Sequence, residues 1–317
     1  MKYSDLALKV LAAKECGIIK TNAQFWGSFA NRKEFEEEIS KVESVAKTMQ
    51  KITNEIDSYE TDEGFICIFD DEFPVLNRKI KNNGDKPYIL FYKGNLSLLN
   101  DLNNNIAVIG LLDPDEEIIK RESEVIKRLV ENELVIVSGL AAGCDTIAHK
   151  ACVEAAGKTI AILPTQISKI IPAANRDLAE EIINEGGLLL SEYYKDPTTK
   201  HEVINRFIER DRLQAMFAKA IILIASYRKG EGDSGSRHAM EAARRYEIER
   251  YVMYNHKTDE NNSKFGLNKD LFDLKSPDKV KILQSNSLDF IKTLKNPNLI
   301  KNSNYNNNVQ PSIFDNE

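Results

Sequence analysis

The sequence predicts an α/β protein with a doubly wound, mostly parallel sheet, preceded by a helical region and followed by a disordered tail. Three observations predict it. Between Asn105 and Asn255 six short apolar runs recur, IAVIG, LVIVSG, TIAILP, GLLLSEY, AIILIAS and RYVMYN, each matching a strand buried on both faces. Helical patterns such as DEEIIKRESEVIKRLVENE and DLAEEIINEG lie between them. Strand–helix alternation with short connections gives parallel strands joined by crossover helices. Two strands also leave through stretches of small residues, and such sheets bind ligands beyond the carboxyl ends of the strands, where the strand order switches.

The elements follow in order. The first hundred residues are mostly helical in pattern. From Asn31 to Tyr59 apolar residues recur at spacings of three and four, which predicts an amphipathic helix. GFICIFDDEFPVLNRKI and PYILFYKG read as short strands around a Pro-bearing turn. FGLNKDLFDLKSPDKVKILQSNSLDFIKTL adds a last piece of structure to the same domain. KNPNLIKNSNYNNN is Asn-rich and poor in apolar residues, so it is expected to be disordered. These patterns divide the chain into a helical region 1–62, a main domain 63–298 with its core at 105–255, and a tail 299–317.

Composition narrows the function. In a chain of 317 residues, 42% hydrophobic and 29% charged content are those of a globular protein with a full core. A net charge of −6 argues against a surface coated for nucleic acid, although a local pocket needs only a few well-placed cations. The four cysteines form no CxxC pair and read as reduced cytosolic thiols. The four histidines are equally dispersed, so no metal site is expected. No apolar window is long enough to span a membrane and the N-terminus does not resemble a signal peptide, so a cytoplasmic location is expected. IAVIGLLDPDEE carries only Gly110, not GxGxxG, and neither GxxxxGK[ST] nor GxSxG occurs. Nicotinamide, P-loop and serine-hydrolase chemistry are therefore not expected, and neither is a cofactor.

Two turns carry the site. SGLAAGCDTIAH follows the strand ELVIV, and Ser138, Gly139, Ala141, Ala142 and Gly143 leave the backbone uncovered. Either amides there approach a ligand, or space between strand and helix is short. In SYRKGEGDSGSRHAMEAARR, Ser234, Gly235 and Ser236 open a helix whose free N–H groups suit an anion, unless Ser236 merely caps the helix. NRFIERDRLQAMFAKA places Arg206, Arg210 and Arg212 close together beside a buried face. Arg suits bidentate phosphate contact, but Glu209 and Asp211 could neutralise the run as an ordinary solvated face. Asp145 falls at a helix start, where a carboxylate is favourable, and His149 reads as structural.

Together these blocks resemble the DprA/Smf family of DNA-processing proteins, from about Gly64 to Leu294. The resemblance rests on GFICIFDDEFPVLNRKIKNNGDKPYILFYKGNLSLLN, VIVSGLAAGCDTIAHKACVEAAGKTIAIL, IPAANRDLAEEI, LLLSEY, FIERDRLQAMFAKAIILIAS and DSGSRHAMEAA. It implies an extended Rossmann-like domain that binds single-stranded DNA without turnover, works as a homodimer and loads RecA. Carried onto this chain, it places the contacts at Gly110, Ser138, Gly139, Ala142, Gly143, Arg210, Arg212, Ser234, Gly235 and Ser236. The chain departs from the family in having Leu111 and Leu112 after Gly110, where Thr-Arg or Ser-Arg is usual. It also has Pro164-Thr165 and Tyr254-Asn255 at two turns that usually contain glycine, and no stretch resembling the small C-terminal winged-helix domain. The alternatives are a nucleotide sensor or a nucleotide N-glycosidase of the LOG type, the latter disfavoured by the spacing from Ser236 to Glu241. QPSIF near the C-terminus resembles the bacterial sliding-clamp-binding motif through Gln310, Ile313 and Phe314. Its flexible tether would confine the ordering cost to a few residues.

Overall fold

A computed structural model describes residues 1–57, 62–232, 235–273 and 280–283. Four helices come first: α1 (Asp5–Glu15), α2 (Asn22–Ser28), α3 (Arg32–Ile39) and α4 (Glu43–Asp57). Ser4, Thr21 and Asn31 cap the first three, each side chain accepting a first-turn amide. The stretch expected as one amphipathic helix from Asn31 is therefore two helices, broken at Ser40–Val42. The break lets both apolar faces reach cover along different axes. Phe35 enters an aromatic cluster with Phe25 and Phe69, at centroid distances of 6.4 and 5.4 Å, while α4 lies along α1.

The sheet opens with β1 (Glu63–Cys67) and β2 (Ile89–Gly94), an antiparallel pair with Phe65 opposite Phe91. Regular alternation follows: β3 (Asn105–Ile109), α5 (Glu116–Val130), β4 (Val135–Ser138), α6 (Cys144–Glu154), β5 (Thr159–Leu163), α7 (Arg176–Asn184) and β6 (Leu188–Ser191). Then come α8 (Lys200–Met216), β7 (Ala220–Leu223), α9 (Ser236–Arg245), β8 (Glu249–Met253), α10 (Gly266–Phe272) and β9 (Lys281–Leu283). All six predicted core strands form, and every residue of β3 to β7 is buried. Helix α5 shows how locally the sequence sets such elements. Asp115 caps it, Glu116 and Glu117 occupy its first turn, and Lys127 and Arg128 its last, matching the helix dipole at both ends.

The nine strands lie in the order β1-β2-β6-β5-β4-β3-β7-β8-β9, with β3 to β9 parallel and β2 antiparallel to β6. From β3 the chain winds outward through β4, β5 and β6, then returns through α8 to β7 on the other side. Helix α6 packs between α5 and α7, and α9 packs against α8. With the right-handed crossovers general to parallel sheets, the strand order puts these two groups on opposite faces. The strand order thus reverses between β3 and β7, and the loops leaving β3, β4 and β7 border the resulting crevice.

Candidate functional site

The turn after β4 is built by close approach. Ser138 closes the strand, and its buried hydroxyl donates to the Val108 carbonyl at 2.7 Å, tying β4 to β3 instead of facing the crevice. A Cβ on Gly139 would fall inside the Arg210 guanidinium, and one on Gly143 would run into the Leu111 carbonyl. Gly143 also has a positive φ of 75°. The need for space is therefore real at both glycines. Between them Ala142 is exposed, and no acceptor among the described residues meets the amides of Ala142 and Gly143. Small residues admit neighbours at the base of this turn and leave amides open at its tip.

Two helix N-termini converge on the end of β3. The Cys144 amide at the start of α6 donates to the Leu111 carbonyl at 3.0 Å. The Ser236 hydroxyl at the start of α9 donates to the Gly110 carbonyl at 2.9 Å, so Ser236 joins two loops and does not cap its own helix. The N-cap is Gly235, at φ 88°. Gly110 itself lies so close to Cys144 that a Cβ would strike its sulfur. Gly110, Gly143, Gly235 and Ser236 thus gather where two positive dipole ends meet. Ser234, and Gln310, Ile313 and Phe314 of the tail, lie outside the described residues.

Helix α8 connects the two turns but spends its cations inward. Arg210 lies against Gly139, pairs with Asp145 at 3.4 Å and with Asp211 at 3.3 Å, and is 5% exposed. Arg212 donates to the Asp85 and Glu209 carbonyls at 2.9 and 2.5 Å and to the Glu192 carboxylate at 2.7 Å. Arg206 is held by Glu202 and the Lys195 carbonyl and covers the Tyr193 ring at 4.2 Å. The sequence reading missed Glu192 and the Asp85 carbonyl, which are distant in the chain and carry no local signal. It also missed the apolar edge that α8 presents: Val203, Ile204 and Ile208 are 38%, 60% and 40% exposed, beside a half-buried Phe207. Leu112, where the family usually has Arg, is 53% exposed.

Below the crevice the groups are structural. Asp145 lies in the first turn of α6, and its carboxylate accepts the Ala141 amide at 3.3 Å. His149 meets the Thr159 hydroxyl at 2.7 Å, and burial, aided by Arg210, pushes its pKa down to about 3. Burial also holds the carboxyl of Glu122 well above the usual carboxylate range and raises the Cys144 thiol. On α9, Glu241 is held by Arg244 at 2.7 and 2.9 Å and kept charged by it. Among the described residues no cluster of His, Cys, Asp and Glu could hold a metal, and no helix is long and apolar enough to cross a membrane.

A doubly wound sheet whose strand switch is lined by open amides and helix N-termini has the architecture of the Rossmann-like proteins. The model of the family described as DNA recombination-mediator protein A matches residues 64–271, and the chain belongs to that family. It is 39% identical over 162 residues to DNA processing protein DprA of Streptococcus pneumoniae, covering 50% of this chain and 54% of that protein. It is 32% identical to Protein Smf of Synechocystis, covering 50% and 39%. The chain thus spans about half the length of the curated relatives it matches. The X-ray structure of S. pneumoniae DprA superposes with a TM-score of 0.66 at 26% identity, covering 90% of this chain and 96% of that one. DNA processing protein A of Helicobacter pylori, whose structure was described for its single-stranded DNA binding mode, gives 0.59 at 28%, covering 74% and 96%.

Proposed function

We propose that this protein binds single-stranded DNA in the crevice between the loops leaving β3, β4 and β7, protects it and passes it to RecA, without catalytic turnover. The observation that carries this reading is the convergence of the α6 and α9 N-termini on Gly110 and Leu111 beside the open amides of Ala142 and Gly143. Backbone amides and dipole ends bind phosphate whatever the base, which suits a strand bound without sequence preference. The single-stranded DNA binding described for the H. pylori relative supports the choice of ligand. A glycosidase reading is not favoured, since Glu241 is tied up by Arg244 on the side of α9. The family resemblance adds a homodimer acting in the cytoplasm, and Gln310, Ile313 and Phe314 add a sliding-clamp contact through the tail.

Fluorescence anisotropy of labelled oligo-dT against a duplex of equal length, over a salt series, tests the DNA reading. The expected result is submicromolar binding of the single strand and much weaker binding of the duplex. Each neutralised phosphate of a single strand contributes about −0.7 to the slope of log K against log salt. With Arg206, Arg210 and Arg212 paired internally, the slope should be shallow, of magnitude about 1–2. Absence of binding at low salt, or equal affinity for duplex, would overturn the proposal.

A further inference from the structure

We infer that Asn175, between β5 and α7, is a positioning residue that holds the crevice turn in its binding shape by latching Leu140 in a left-handed conformation. Leu140 has φ 59°, a region in which a branched, bulky residue is strained, and it is neither Gly nor Asn. Such a conformation persists only where the surroundings over-determine it, and strain of this kind gathers at ligand-binding turns. Here the determinants can be named. The Leu140 side chain is fully buried, so it cannot turn out to relieve the backbone. The Asn175 side-chain amide donates to the Leu140 carbonyl at 2.9 Å and to the Thr146 hydroxyl at 2.8 Å. That hydroxyl in turn donates to the Ala141 carbonyl at 2.6 Å. Asn175 is only 5% exposed, so water does not compete for these bonds.

Two consecutive peptide carbonyls, Leu140 and Ala141, are thereby pulled toward the α7 side of the loop. A peptide unit is planar, so fixing its carbonyl fixes the amide of the next residue on the opposite side. Latching the Ala141 carbonyl therefore turns the Ala142 amide away from Asn175, toward the exposed tip of the turn. The Asp145 carboxylate holds the Ala141 amide from the other side. The ligand amides are thus aimed by a residue some thirty positions away in the chain that does not itself face the ligand. This inference rests on the crevice being the DNA site.

The test uses the full chain and four proteins: wild type, Asn175→Ala, Leu140→Gly and the double variant. Glycine adopts positive φ without strain, so it should hold the turn without the latch. Asn175→Ala is expected to weaken oligo-dT binding tenfold or more. Adding Leu140→Gly should bring the affinity back to within about threefold of Leu140→Gly alone, a rescue that simple loss of packing would not produce. Hydrogen exchange supplies a readout that needs no DNA. In Asn175→Ala the peptide covering 139–149 should exchange faster while β7 does not change, and the double variant should regain protection. Unchanged binding and exchange in Asn175→Ala, or equal losses in the single and double variants, would overturn the inference. If the wild type binds no DNA but the exchange pattern holds, the latch stands and the DNA reading falls.

Discussion

At the residue scale, one sequence feature has two physical uses. Gly139 and Gly143 are small because Arg210 and the Leu111 carbonyl press against them, and that tight base leaves Ala142 at an open tip. Leucine has no preference for positive φ, so nothing in the local sequence marks Leu140 as the pivot. The roles of Asp145 and His149 were easier to read, because a carboxylate at a helix start and a histidine on an apolar face have common structural explanations. His149 also makes a pH prediction. Its pKa is pushed down from 6.5 to about 3 in the fold, so the unfolded chain takes up the proton first as pH falls. The fold therefore loses stability between those values, by about 1.4 kcal/mol per unit. Between pH 7.5 and 4.5, wild type should lose about 2–3 kcal/mol more than His149→Gln in chemical denaturation. Parallel losses would show that the proton is accommodated. Glu122 acts in the opposite direction: its raised pKa keeps a proton in the fold, so its contribution is lost as pH rises above the ordinary carboxyl range.

At the element scale, the strands were legible because burial on both faces leaves uninterrupted runs of Val, Ile, Leu and Ala. The α3–α4 break was not, because Ser40-Lys41-Val42 contains neither Gly nor Pro and the reason for the break lies in tertiary packing. The ends of β7 and β8 are fastened in an equally hidden way by one residue of α10. The buried Asn268 side chain donates to the Leu223, Ile224 and Met253 carbonyls and accepts the Ser226 amide at 3.0 Å. Asn268→Ala should cost about 3 kcal/mol, since the amide's two hydrogens, shared among three carbonyls, and the one bond its oxygen accepts amount to about three bonds of about 1 kcal/mol net each. Urea denaturation measures this, and a loss below about 1 kcal/mol would mean that water replaces the side chain. The same variant should loosen the loop that leads from β7 to Gly235.

At the scale of the whole molecule, the helical N-terminal part and the sheet share polar joints as well as apolar ones. Glu192 at the end of β6 accepts Asn22 of α2 at 3.2 Å and Arg212 of α8 at 2.7 Å. Asp85 accepts Arg212 through its carbonyl and Tyr246 and Arg245 through its carboxylate. These joints are why the arginine run could not be interpreted from its own segment: the partners come from three other parts of the chain. The proposed clamp contact should be independent of them. Phe314→Ala should abolish binding to an immobilised sliding clamp, measured by surface plasmon resonance, and leave oligo-dT affinity unchanged. Equal clamp affinity for both proteins would remove that contact.

The inward pairing of Arg206, Arg210 and Arg212 also bears on speed. With these three arginines already matched to carboxylates and a net charge of −6, the crevice gains little field from them with which to draw a polyanion through solution. A strand would reach it by unsteered collision, at roughly 10⁵–10⁶ M⁻¹s⁻¹, and how tightly it is held would be decided almost wholly by how slowly it leaves.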